Sequence, residues 1–170
     1  MLWIVTIYLV VPLLLVVAIL QTTLVPHVAI WGVFADLPLL VVVSWSLLRG
    51  PREGILWGFV AGVAVDLFSG APFGASTLAL IAVGLLAGLG AATVFRAQIA
   101  LPLLAMFLAT LVYDLLFLLV VRISGYPVAW LESLYRLILP SAVLNAVLTP
   151  VVFLTMRWLY TRFGREDMEW

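Results

Sequence analysis

Residues 54–66 read GILWGFVAGVAVD: glycine at 54, 58 and 62, aspartate at 66, and only apolar side chains between them. Each four-residue step turns an α-helix by about 400°, so these four positions form one ridge that drifts roughly 40° per step. A membrane β-strand would alternate apolar and polar residues with period two. This run does not alternate. Glycine ridges let helix backbones approach closely where lipid gives no hydrophobic drive to association. Gly84, Gly88 and Ala92 repeat the same interval further on. Two uses fit the pair of ridges: the third and fourth spans pack on each other, or the ridge faces a second protein.

The rest of the chain agrees with a helix in lipid. Its 170 residues are 66% hydrophobic and 9% charged, with 8 Arg, no Lys, 8 acidic residues and no Cys. Soluble domains carry roughly 25% charged residues, so a soluble enzyme is excluded. Disordered chains are poor in the aromatic and β-branched residues that dominate here. Zero net charge argues against nucleic acid, which needs a basic stripe. Without cysteine there is no disulfide framework and no thiolate for metal or catalysis.

At 1.5 Å per residue a span of about 30 Å needs roughly 20 apolar residues. Spans are expected over residues 2–24, 33–48, 52–68, 74–95, 98–121 and 137–160, one polytopic domain in a six-helix bundle. The first lacks a basic n-region and reads as a retained span rather than a secretory signal. The second is too short if it opens at Asp36, so either 31–35 is helical or that stretch re-enters the membrane. With both termini inside, the cytoplasmic face receives Arg49, Arg52, Arg96, Arg157, Arg162 and Arg165, and the outer face only Arg122 and Arg136. That asymmetry follows the positive-inside rule. Between the last two spans, 124–136 is either a short interfacial helix or an extension of the sixth span.

Ionisable groups within spans are costly and stand out as functional candidates. There are three, Asp36, Asp66 and Asp114. Asp36 is 13 residues from Arg49 and Asp66 is 14 from Arg52, which places both about 20 Å from the inner boundary. Asp114 falls at a similar depth. They pair or cap internally, meet a partner's transmembrane segment, or move protons or ions. Asp36 is placed to cap a helix opening at Leu37-Pro38. His27 lies in an apolar outer loop and reads as interfacial. Asn145, midway between Pro140 and Pro150, is suited to a carbonyl freed by proline. The nucleophile-elbow, phosphate-loop and zinc-protease patterns are missing, as is a paired acidic motif of the kind membrane phosphotransferases carry. No catalytic, cofactor or metal site is expected.

The order Asp36-Leu37, Arg49-Gly50, Gly54, Gly58-Phe59, Gly62, Asp66-Leu67, Ser69-Gly70, Phe73-Gly74 resembles the bacterial rod shape-determining MreD family. The match is dense over about residues 36–90 and elsewhere rests on length and span count. Ala35-Asp36-Leu37-Pro38 departs from the family's Pro-Asp-Leu by moving the proline into the helix. The resemblance implies a non-enzymatic scaffold of the cell-elongation machinery in the cytoplasmic membrane. It implies MreC, RodA with its class B penicillin-binding protein, and MreB as partners. The packing or partner residues would be Gly54, Gly58, Gly62, Asp66, Asp36, Asp114, Gly84 and Gly88. It also implies a fold similar to the six-helix substrate-binding components of vitamin importers, so the competing function is a small-molecule carrier.

Overall fold

The computed structural model describes residues 2–23, 33–90 and 100–163. The described residues form α1 (Leu2–Thr23), α2 (Leu37–Arg49), α3 (Pro51–Ser69), α4 (Ala75–Leu89), α5 (Ala100–Ile123) and α6 (Leu139–Phe163). α5 and the last helix are long and apolar enough to cross a membrane.

α2 is the hub. It touches each of the other five helices, and these run round it in the order α1, α3, α4, α5, α6. Nine of its 13 residues are buried, among them Leu39, Leu40, Val42, Val43 and Leu47. Leu14, Trp57, Leu80, Val83, Met106 and Tyr113 close over it from the surrounding helices. The outer helices turn their other faces outward: Leu104, Leu108, Leu115 and Leu119 on α5, and Val143, Val147, Val151 and Trp158 on α6, are exposed. Large exposed apolar stripes at helical spacing suit a hydrocarbon surround.

The second span starts later than the expected residue 33. Residues 34–36 are not helical, and α2 opens at Leu37. Its 13 residues cover only about 20 Å. Irregular backbone at membrane depth is tolerated where the protein itself satisfies it, and here every donor of the opening turn is taken. The Asp36 N–H donates to Asn145 Oδ1 (3.0 Å), the Leu37 N–H to Gln21 Oε1 (2.9 Å) and the Leu39 N–H to Asp36 Oδ1 (3.1 Å). Pro38 has no N–H to satisfy.

Other boundaries move too, by one to three residues at both ends of α3 and at the ends of α5 and α6. α4 begins at Ala75, not 74, because Gly74 stands at φ 98° as the residue preceding the helix; its expected end at 91–95 lies outside the described residues. The sixth span begins well before 137. Trp130–Ser133 runs without a break through a π-helical stretch, Leu134–Ile138, into α6. This is an extension of the last helix, not a separate interfacial one. The Leu139 N–H reaches back to the Leu134 carbonyl, a five-residue step. Pro140 follows at once. Its ring would strike the carbonyl four residues back and it has no hydrogen to give, and a π-turn ahead of it relieves that conflict by widening the helix.

Candidate functional site

α3 and α4 make the most extensive helix pair in the bundle, and the glycine ridge is their seam. A methyl built on Gly58 would stand 2.5 Å from the Leu80 carbonyl oxygen. One on Gly54 would meet the Gly84 carbonyl, one on Gly62 the Thr77 Cα, and one on Gly88 the Pro51 Cα. Backbone lies against backbone at four successive levels, and only hydrogen fits between.

Asp66 locks the end of that seam. It is 5% exposed and reaches across the Ser69–Gly74 turn to the first turn of α4. Its Oδ1 accepts from the Ser76 N–H (3.0 Å). Its Oδ2 accepts from the Gly74 N–H (2.9 Å), the Thr77 N–H (3.0 Å) and the Thr77 hydroxyl (2.6 Å). Helix N-termini leave donors without intrahelical partners and favour negative charge. The carboxylate of one helix thus caps the next.

The three carboxylates lie at one end of the bundle and surround Tyr113, which is 7% exposed. Its phenol stands beside the Asp36 carboxyl group and near Ser76 Oγ. Asp114 accepts from the Ser141 hydroxyl of α6 (2.9 Å). One turn inward, the fully buried Asn145 donates to Thr110 Oγ1 (3.3 Å) while its carbonyl oxygen holds the Asp36 N–H. Asn145 therefore ties α2, α5 and α6 together, rather than serving a carbonyl freed by proline.

At the opposite end, Glu53 gathers three donors: Trp45 Nε1 (2.8 Å), Arg49 Nε (3.0 Å to Oε1) and Trp57 Nε1 (3.4 Å). The Arg49 guanidinium also lies 5.9 Å from the centre of the Trp45 ring. This cluster joins α2 to α3 across Gly50. Its signal in the sequence is plain in retrospect, since Trp45, Arg49, Glu53 and Trp57 are four residues apart. Glu53→Leu is expected to lower stability by about 2–3 kcal/mol and Glu53→Gln by about 1 kcal/mol, because a charged acceptor serves these donors better than an amide carbonyl. Thermal unfolding in mild detergent checks it; equal midpoints for both variants and the parent would refute the role.

Sequence reasoning missed Tyr113, Gln21, Ser76, Thr77 and Ser141. Gln21 had a signal, as a lone amide late in an apolar run; Tyr113 had none that set it apart from the other aromatics. His27 lies outside the described residues. Among the described residues no cluster of three or more His, Asp or Glu is placed to hold a metal ion. A groove of 440 Å³ between α4 and α5, lined by Leu47, Val83, Leu86, Leu104, Leu108 and Val112 among others, is apolar. None of its lining side chains is polar, so none can orient a water-soluble ligand.

A bundle of helices with apolar faces turned outward, and with Asp36 and Asp66 engaged at helix starts, defines a membrane protein built around helix–helix contact. The chain belongs to the family of the rod shape-determining protein MreD, whose model matches residues 4–163. A role in rod shape determination follows from that membership. No solved structure matches the chain, so the likeness to vitamin-importer components rests on the resemblance alone.

Proposed function

We propose that this protein is a non-enzymatic, multi-pass scaffold of the cytoplasmic membrane that binds the transmembrane segments of other elongation proteins. It binds MreC, accompanies RodA and its class B penicillin-binding protein, and helps couple MreB filaments to lateral peptidoglycan synthesis. The family match over nearly the whole chain carries this reading. The geometry supports it: Asp66, Asn145 and Glu53 are each occupied in joining helices, as befits a body whose work is to hold a shape. Both termini face the cytoplasm, which puts the Glu53 cluster at the inner face and the three aspartates in the outer part of the membrane.

The test is affinity purification from the native membrane in mild detergent, with mass spectrometry of proteins and small molecules. Recovery of MreC and the RodA synthase without a stoichiometric solute is expected. An ATPase module or a bound vitamin-like solute would replace the scaffold with a carrier.

A further inference from the structure

α2 is shorter than the bundle around it, and its outer end can be placed against its neighbours. The Asp36 N–H donates to Asn145, and Asn145 donates to Thr110 of α5. Ser141 of α6 donates to Asp114, and Ser76, in the first turn of α4, lies near the Tyr113 phenol. The starts of α2 and α4 therefore share a level with Tyr113 and Ser141. Past that level α5 continues for ten residues to Ile123, and the last helix with its extension starts eleven residues ahead of Ser141, at Trp130. Both run about 15 Å further outward. α3 overshoots as well, since Gly62 lies against Thr77 and Ser69 is seven residues, about 10 Å, further on. Taller neighbours around a short hub leave a well above its end.

The floor of this well is polar and reachable. Residues 34–36 are not helical; Phe34 is 40% exposed, and Ala35, Asp36 and Leu37 are partly exposed. From Arg49, taken at the inner boundary, α2 covers only about 20 Å of a hydrocarbon layer about 30 Å deep. The floor thus lies about 10 Å below the outer hydrocarbon boundary, while the tips of α5 and the last helix reach past it. A membrane of even thickness would press acyl chains onto non-helical backbone and a carboxyl group, and hydrocarbon satisfies neither.

We propose that water fills this well, so that the outer polar boundary of the membrane dips by about 10 Å over the starts of α2 and α4 and keeps its full height along the outward face of α5. The well rests on the membrane reading above, with both termini inside, and goes beyond it in giving the protein two hydrophobic heights. Asp36 and Asp114 then meet water and need no cation brought by a partner. A segment shorter than the bilayer is accommodated by local thinning of this kind.

The chain has no cysteine, so a single introduced thiol reports its own surroundings. A thiol reacts as the thiolate, which forms in water and not in hydrocarbon. Three single variants of the full-length protein are compared with a small, membrane-impermeant sulfonated maleimide, in spheroplasts and in inverted vesicles. They are Ala35→Cys at the floor, Leu119→Cys on the outward face of α5, and Ser124→Cys at its exposed outer tip. Leu119 is six residues outward of Tyr113, about 9 Å shallower than the floor. A flat boundary therefore labels Leu119→Cys first. The well reverses the order: Ala35→Cys is expected to react in spheroplasts at least about tenfold faster than Leu119→Cys, and to stay unlabelled in inverted vesicles. Phe34→Cys reads the same floor if Ala35→Cys does not fold. Equal rates, or a faster Leu119→Cys, overturn the proposal. If Ser124→Cys labels from outside and the floor from neither side, the well falls and the topology stands. Labelling of the floor and of Ser124→Cys from the inner side alone overturns the topology and takes the outer well with it.

Discussion

Gly58→Leu is expected to prevent recovery of a monodisperse protein in mild detergent, and Gly58→Ala alone to cost about 2–3 kcal/mol. The reason is what the new atoms would strike. A Cβ at 58 comes within 2.5 Å of the Leu80 carbonyl oxygen, 2.8 Å of its carbon and 3.0 Å of the Ile81 nitrogen. Those are backbone atoms inside a helix, and no rotamer change moves them. Relief requires α3 and α4 to part, and the contacts of Gly54 with Gly84, Gly62 with Thr77 and Gly88 with Pro51 open with it. In lipid, association rests on such van der Waals contact, with little solvent-exclusion term to compensate. Gly62→Leu is expected to behave alike. Phe59→Leu, one residue along and 53% exposed, serves as the control and should stay within about 0.5 kcal/mol of the parent. Size-exclusion profiles and thermal unfolding decide the matter; intact folding of both leucine variants would mean that the seam is not required.

The second large effect is expected at Asp66. Four donors converge on its two oxygens, and hydrogen bonds to a charged group contribute about 1.5–3 kcal/mol each. Asp66→Leu removes every acceptor, leaves the Ser76 and Thr77 N–H groups buried and unpaired, and takes the partner from the part-buried Gly74 N–H. A loss of more than about 4 kcal/mol is expected, the range reserved for broken buried networks. Asp66→Asn is milder, at about 2 kcal/mol. Its one carbonyl oxygen can take the Oδ2 place and keep Gly74 and Thr77, while its amide then confronts the Ser76 N–H. Hydrogen exchange at the first turn of α4 separates this local loss from general unfolding. Equal destabilisation by the two substitutions would assign the role to charge alone and remove hydrogen-bond geometry from the account.

Legibility in the sequence followed the range of each interaction. The glycine ridge could be read because close backbone approach demands small residues at a fixed local interval, and the three aspartates because charge is conspicuous in an apolar run. Whether the ridge served an internal or an external contact was open, since spacing gives a surface and not its neighbour. The cap of α2 could be read, since Asp36 ahead of Leu37-Pro38 is a local signal; what could not be read is how a helix opening so late satisfies the backbone ahead of it. Its opening donors are satisfied by Gln21 and Asn145, 16 and 109 residues away from the groups they hold, and nothing near residue 36 announces them. The early start of the last helix stood as one of two readings, because the local pattern of 124–136 suits an interfacial helix as well as an extension; the structure makes it an extension, with Pro140 accommodated by a local change of helical pitch. The Tyr113 cluster was hidden because it assembles from α2, α4 and α5 only when the bundle closes.

The short, encircled α2 has a consequence for how the chain is made. A 13-residue segment cannot hold a place across the bilayer on its own, and four of the five helices that surround it follow it in the chain. Gln21 is then at hand for the Leu37 N–H, but the Asp36 N–H must wait for Asn145, most of the protein later. The central helix is thus secured late, although it precedes four of the helices that surround it. Biogenesis must shelter it, through the insertion machinery or as a hairpin with α3, until the final helix arrives. A chain truncated before Asn145 would lack the side chain that holds the Asp36 N–H.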